Sequence, residues 1–114
     1  QNAKVKEIKK IETKTLNSII ESTSFEGRSI DFLTIDVEGH EMDVLRGFDF
    51  KKYSPKVIVI EYLDLNAANF EIKNLNINNV INSNIYKFIV SHNYTLVNWV
   101  HSDLVFINNS FRDL

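Results

Sequence analysis

Residues 30–47, with the sequence IDFLTIDVEGHEMDVLRG, constrain the fold more than any other part of this chain. The first half of this segment is almost continuously apolar, through Ile30, Phe32, Leu33, Ile35 and Val37. Such a run is typical of a parallel strand covered on both faces, because a strand with one solvent-exposed face alternates apolar and polar residues. We therefore predict a buried strand over residues 30–37.

The second half of this segment changes to helical spacing. Met42 and Leu45, with Val44 and Phe48, recur at the spacing of one helix face. The other side of this predicted helix is polar and consists of His40, Glu41, Asp43 and Arg46. Gly47 stands where a helix often ends. The whole segment predicts a strand, a sharp acidic turn and a short helix.

A second buried strand is predicted at residues 57–62, VIVIEY, just after Pro55. Strand, helix and strand follow one another within about thirty residues, which is the length of a crossover unit with parallel strands. Such crossovers are almost always right-handed. The two predicted strands are therefore expected to be parallel neighbours.

The rest of the chain gives weaker signals. The asparagine-rich residues 63–84 are expected to form a loop that runs into a helix, and residues 94–100 and 104–107 are expected to form a hairpin. The expected helix has one apolar face over three turns, formed by Ile81, Ile85, Phe88, Ile89 and His92. Residues 5–12 fit either a lead-in strand or a linker.

A short helix is predicted near the start of the chain. Its apolar face consists of Leu16, Ile19 and Ile20. Thr13 or Thr15 could cap its first turn, because a threonine hydroxyl accepts a hydrogen bond from an unpaired backbone N–H there.

Composition excludes several classes of function. The chain has 114 residues, 44% of them hydrophobic and 25% charged, which is enough for one globular domain with its own core. With a net charge of −2, the chain has no excess of positive charge that would attract nucleic acid or an anionic membrane. The absence of cysteine excludes thiol chemistry, and no apolar stretch approaches the length of a membrane span. We expect a cytoplasmic protein without nucleic-acid or membrane partners.

Carboxylates follow both predicted strands at their carboxyl ends. Asp36 and Glu38 end the first strand, and Glu61 ends the second. Ligands of open α/β sheets bind at this edge, so we expect these side chains to line a site. A charge that ends a buried strand is costly unless it is paired, which favours a role for Asp36 and Glu61. Glu41 and Asp43 fit the simpler interpretation that surface acids favour the positive end of a helix.

His40 is the candidate general base, because imidazole titrates in the range suited to taking a proton from a hydroxyl. Its simpler interpretation is a solvent-facing residue in the first helical turn. Asp36, Glu38 and His40 could also suggest a metal-dependent hydrolase, but their spacing does not guarantee that they converge, and we assign no metal ligand. A further alternative is a non-enzymatic α/β interaction module.

The sequence DFLTIDVEGHEMDVLRG, followed by PKVIVIEY, resembles the signature of the FkbM-type S-adenosylmethionine-dependent methyltransferases. The resemblance continues through TKTLNSII before it and the NYTLVNW…DLVFIN hairpin after it. It implies a class I methyltransferase fold with a doubly wound, Rossmann-like sheet. It also implies S-adenosylmethionine as cofactor and methyl transfer to a hydroxyl of a sugar, lipid or secondary metabolite. The acceptor would be a small molecule or a glycan.

For this chain, the resemblance implies one α/β domain over residues 1–114 that corresponds to the C-terminal half of the sheet and ends in an antiparallel hairpin. The chain's three glycines are too scattered to form the Gly-rich turn of a nucleotide cofactor. We therefore expect a partial domain that lacks the cofactor-loop half. On its own it should be inactive and bind the cofactor weakly or not at all.

The resemblance, combined with the carboxylates above, gives a set of expected site residues. Asp36 and Gly39 are assigned to the cofactor, Glu38 and Glu61 to the substrate, and His40, Asp36 and Glu38 to catalysis. In the implied fold the strand at residues 30–37 lies beside a strand of the missing half. We expect this strand to form an exposed edge and to pair with a second copy, unless residues 5–12 fold back over it.

Overall fold

A computed structural model of the chain describes residues 4–63 and 76–112. In chain order its elements are α1 (Leu16–Glu21), β1 (Phe32–Ile35), α2 (Glu41–Arg46), α3 (Phe50–Tyr53), β2 (Val57–Glu61), α4 (Ile77–Ile81), α5 (Asn84–Ser91), β3 (Tyr94–Val100), β4 (Asp103–Asn108) and a closing 3-10 turn (Asn109–Phe111).

The strands form one mixed sheet in the order β1-β2-β4-β3. β1 and β2 are parallel, and β4 is antiparallel to both of its neighbours, β2 and β3. The predicted parallel pair and the predicted hairpin are both confirmed. The described residues thus form an α/β fold in which the carboxyl ends of β1, β2 and β3 share one edge of the sheet.

One face of this sheet carries the core. Alternate residues of β2, Ile58 and Ile60, are completely buried, and so are Leu104 and Phe106 on β4. Leu45 of α2 packs into the same cluster. Other members of this core are Ile35, Phe48, Phe50, Tyr53, Val80, Ile89 and Tyr94. The helices therefore cover the face of the sheet that these alternating side chains define.

The prediction that residues 30–37 are covered on both faces is wrong. Leu33 and Ile35 pack on the core, but Phe32 is 57% exposed and Thr34 is also exposed. The strand is also shorter than predicted. The physical reason is its position, because β1 ends the sheet and no other element of the described residues covers Phe32 and Thr34.

The helix boundaries follow local capping chemistry. Thr15, one of the two expected caps, accepts a hydrogen bond from the backbone N–H of Ser18, and α2 ends at Gly47 as predicted. The sequence interpretation missed the short helix α3. Asp49 caps its first turn, because the Asp49 side chain accepts hydrogen bonds from two backbone N–H groups there. Caps of this kind contribute about 1 kcal/mol each.

The single helix predicted through Ile81 and His92 is instead two helices. The side chain of Ser83 accepts a hydrogen bond from the N–H of Tyr86, so α5 starts there, and Asn76 caps the preceding α4 in the same way. A serine hydroxyl competes with helix continuation and favours a cap. Residues 64–75, part of the predicted loop, lie outside the described residues.

The lead-in at residues 5–12 has no regular secondary structure, which agrees with the linker interpretation. Its apolar side chains Val5, Ile8 and Ile11 are each at least 80% exposed. In the part of the chain that the structure describes, no helix has the length and apolarity needed to cross a membrane.

Candidate functional site

Three carboxylates lie in a row across the carboxyl edge of the sheet. In the parallel pairing of β1 with β2, Thr34 stands beside Val59, and two residues further along each chain come Asp36 and Glu61. On the other side of β2, Glu61 is the antiparallel partner of Asp103 on β4. The sheet therefore aligns Asp36, Glu61 and Asp103 on the face opposite the core.

Like charges that face each other across strands are destabilising, and this row relieves them by holding a proton. A hydrogen bond with Asp36, desolvation, and the negative charges of Asp36, Glu41 and Asp103 raise the pKa of Glu61 to about 7. Protonated Glu61 is the donor of that hydrogen bond. In the described residues no Lys, Arg or His forms a salt bridge with the row. Near neutral pH, Glu61 therefore exchanges between its protonated and its ionised form.

The turn after β1 takes an unusual backbone path. Glu38 and Gly39 both have positive φ angles, 49° and 101°. Such angles cost little for glycine, whereas a glutamate at positive φ is strained unless the surroundings hold it there. The turn therefore needs a fixed support.

Glu41 supplies this support. Its side chain is 5% exposed, and its carboxylate accepts hydrogen bonds from the backbone N–H groups of Val37 at 3.2 Å and Gly39 at 3.0 Å. Hydrogen bonds to an ionised acceptor are stronger than those between neutral groups. Glu41 thereby fixes the turn that carries the chain from Asp36 into α2.

The interpretation of Glu41 as a surface acid is wrong. Its position one residue after the turn gives it access to the backbone N–H groups that a tight turn and a helix start leave without partners. The sequence contains this signal, because a glutamate in the first helical turn is long enough to reach back to the N–H groups that precede the helix, much as the glutamate of a capping box does. Asp43, which had the same simple interpretation, is indeed exposed.

Among the described residues, neither His40 nor Glu38 forms a hydrogen bond with the carboxylate row. The His40 side chain is 76% exposed, and its Nδ1 lies 3.2 Å from Oδ2 of Asp43. Asp43 also forms an ion pair with Arg46 at 3.7 Å. Glu38 is exposed and forms no ion pair within the described residues. Of the predicted site residues, the structure brings together Asp36 and Glu61.

The described part of the chain holds no group of three His, Asp or Glu side chains arranged to bind a metal ion. The alternative of a metal site on Asp36, Glu38 and His40 therefore has no support there. Its donors are divided, since Asp36 contacts Glu61 while His40 contacts Asp43.

Comparison with known proteins identifies the family. A family model described as the methyltransferase FkbM domain matches residues 1–96. The match includes both strand ends, the acidic turn and Glu41, and it stops within β3, so Asp103 lies beyond it. Neither the search of curated proteins nor that of solved structures found a match. Nothing in these comparisons supports the non-enzymatic alternative. Because the match spans most of the sequence, this chain belongs to the FkbM methyltransferase domain family.

Proposed function

We propose that this domain serves an S-adenosylmethionine-dependent methyltransferase that methylates a hydroxyl oxygen of a sugar, lipid or secondary metabolite. Family membership supports methyl transfer. The observation that carries the rest is the position of Glu61 beside Asp36, where the pKa of Glu61 is raised to about 7, at the edge where α/β sheets bind ligands.

The chemistry of this edge suits the cofactor. Carboxylates without basic partners accept hydrogen bonds from hydroxyl and ammonium groups and attract a positive sulfonium. At Gly39 a Cβ atom would meet nothing within 4 Å, so the backbone there is open to a close approach. Asp36 and Gly39 are the residues that would hold the cofactor, which supplies an electrophilic methyl group when bound.

The hydroxyl of the acceptor must lose its proton as its oxygen forms the new bond to carbon. A general base works best when its pKa lies near the operating pH, which describes Glu61. In its ionised form Glu61 takes the proton, and the resulting carboxylic acid donates a hydrogen bond to Asp36. We therefore assign the base to Glu61 and not to His40, whose ring contacts Asp43. Glu38, which follows Asp36 by two residues and is exposed, is assigned to contact the acceptor.

The test uses the protein translated with all the coding sequence that precedes Gln1 in its gene. Release of S-adenosylhomocysteine is measured with a panel of monosaccharides, glycolipids and polyols as acceptors. Glu61→Gln keeps the shape of the side chain and its hydrogen bond to Asp36 but cannot take a proton. We expect it to lower kcat by about 10²-fold or more.

The pH profile separates the two candidate bases. With Glu61 as base, kcat/KM of the wild type rises with pH and levels off above about pH 7, where the carboxylate is ionised. His40→Gln should keep this profile, and Asp43→Asn should keep both rate and profile. A folded Glu61→Gln variant with the rate and pH profile of the wild type would contradict the assignment.

A further inference from the structure

Glu41 is the one buried charged residue in the part of the chain that the structure describes. It is 5% exposed, and within residues 4–63 and 76–112 it forms no ion pair with a Lys, Arg or His side chain. Burying a carboxylate without a cationic partner costs free energy that hydrogen bonds only partly offset. The charge of Glu41 therefore needs an explanation.

The hydrogen bonds of Glu41 explain the length of its side chain but not its charge. Its Oε1 lies 3.2 Å from the backbone nitrogen of Val37 and 3.3 Å from that of Gly39, and its Oε2 lies 3.0 Å from the same Gly39 nitrogen. At the start of helices, glutamine reaches back to such N–H groups as glutamate does. A neutral side chain of the same length would keep one acceptor oxygen here without burying a charge.

The turn that Glu41 supports carries the residues assigned to the cofactor. Asp36 directly precedes Val37, and Gly39, with a φ of 101°, has open space where a Cβ would lie. Both oxygens of Glu41 accept from the Gly39 N–H and so fix the orientation of that peptide group. A misplacement of about 1 Å near reacting groups can cost about 10²-fold in rate. The proposed transfer therefore needs this turn to be rigid.

The charge of Glu41 acts on Glu61. A hydrogen bond with Asp36 is the largest cause of the raised pKa of Glu61, and the negative charges of Asp36, Glu41 and Asp103 raise this pKa further. These three carboxylates reach Glu61 from the end of β1, from α2 and from β4. Solvent screens a buried charge less than an exposed one. Glu41, buried and held by two backbone N–H groups, thus gives Glu61 a fixed negative neighbour.

We propose that Glu41 is a positioning residue for methyl transfer, which fixes the turn that holds the cofactor and keeps a buried negative charge near the base, Glu61. It acts through Gly39 and Glu61 and not by contact with a reactant. The inference rests on the proposed function of this edge. The first role needs the reach of the side chain, and the second needs its charge. Asp43, the next acid of α2, has neither role, since it is exposed and pairs with Arg46.

Two substitutions separate the reach of Glu41 from its charge. Glu41→Gln keeps the length of the side chain and one acceptor oxygen but removes the charge. Glu41→Asp keeps the charge but is one methylene shorter, so it should no longer reach both N–H groups. Asp43→Asn removes a charge from the exposed side of the same helix and is the matched control. All variants are made in the protein translated with all the coding sequence that precedes Gln1, and a cooperative urea transition shows that each is folded.

Loss of the charge should move the pH profile of the reaction. Glu41→Gln should lower the pKa of Glu61, so that this base is ionised at a lower pH. We expect the rising limb of kcat/KM to move to lower pH by about 0.5 unit or more, and the plateau to stay within about tenfold of the wild type. Asp43→Asn should leave the limb in place. A limb that Glu41→Gln leaves at the wild-type pH would refute the electrostatic role.

Loss of the reach should weaken cofactor binding. We expect Glu41→Asp to weaken the binding of S-adenosylmethionine, measured by calorimetry, by about tenfold or more, and to lower kcat/KM by about 10²-fold. Glu41→Gln, which keeps an acceptor oxygen, should bind the cofactor more tightly than Glu41→Asp does. A folded Glu41→Asp variant that binds and turns over like the wild type would mean that Glu41 is only a structural cap.

Unfolding experiments measure the effect of the charge without turnover. The difference in the free energy of unfolding between Glu41→Gln and the double variant Glu41→Gln, Glu61→Gln isolates the titration of Glu61. With rising pH it should level off earlier than the same difference measured in the wild-type background; levelling off at the same pH would refute the action of Glu41 on Glu61.

Failure of the proposed function looks different from failure of this inference. In the first case the wild type itself binds no S-adenosylmethionine or methylates no acceptor of the panel, and the unfolding data still decide whether Glu41 acts on Glu61. In the second case the wild type does both, and the Glu41 variants behave like it.

Discussion

Replacing Glu61 by glutamine should make the protein more stable at neutral pH and remove part of the pH dependence of its stability. The folded state raises the pKa of Glu61 from 4.5 to about 7. Below about pH 4.5 both folded and unfolded chains hold this proton, and the full contribution to stability is present. Between about pH 4.5 and pH 7 only the folded state holds it, so the free energy of unfolding falls as the pH rises.

The magnitude follows from the size of the shift. A difference of about 2.5 pKa units corresponds to less than about 4 kcal/mol, because each unit is worth about 1.4 kcal/mol. Glu61 is only partly buried, so solvent screens the repulsion, and we expect a loss of about 1 kcal/mol. Glutamine donates an N–H to Asp36 at every pH in this range. The variant should therefore equal the wild type near pH 4.5 and exceed it by about 1 kcal/mol at pH 8.

Urea unfolding at several pH values measures this difference. Trp99 is the only tryptophan and packs against the core, so its fluorescence reports the transition. Glu26→Gln is the matched control, because Glu26 is exposed and faces Lys52 at 3.7 Å. Its effect should not change with pH in the same window. A constant difference between wild type and Glu61→Gln from pH 4.5 to pH 8 would refute the raised pKa of Glu61.

Other predictions test the turn, the packing of α1 and the cofactor site. Glu41→Ala should lower the free energy of unfolding by about 1 to 3 kcal/mol, since Val37 and Gly39 lose their acceptor, while Asp43→Ala should change it by less than about 0.5 kcal/mol; equal losses in urea melts would contradict the role of Glu41. Gly47→Ala should destabilise by about 1 kcal/mol in thermal melts, because the added Cβ would lie 3.0 Å from Cβ of Thr15, which is held by its capping bond; an unchanged melting temperature would mean that Thr15 moves freely. The 114-residue chain alone should bind S-adenosylmethionine more weakly than about −8 kcal/mol by calorimetry, and micromolar affinity would reveal a complete cofactor site in this chain.

Local patterns in the sequence predicted much of this fold. The switch from an apolar run to helical spacing placed β1, the turn and α2, and the short crossover predicted the parallel partner β2. Thr15 and Gly47 act as the caps that their residue types favour. The neighbouring positions of Asp36 and Glu61 also followed, because parallel strands end at the same edge.

Non-local packing decided the remaining features. Asp103 lies far along the chain from Glu61, and only the insertion of β4 between β2 and β3 places it opposite and helps to raise the pKa of Glu61. The burial of Glu41 depends on how α2 closes over the turn. The open side of β1 depends on which strands and helices become its neighbours, and an apolar run in a sequence is the same whether one face or two are covered. Periodicity therefore determined the strands and α2, local caps at Asp49 and Ser83 divided the shorter helices, and tertiary contacts determined the charge and exposure of the site.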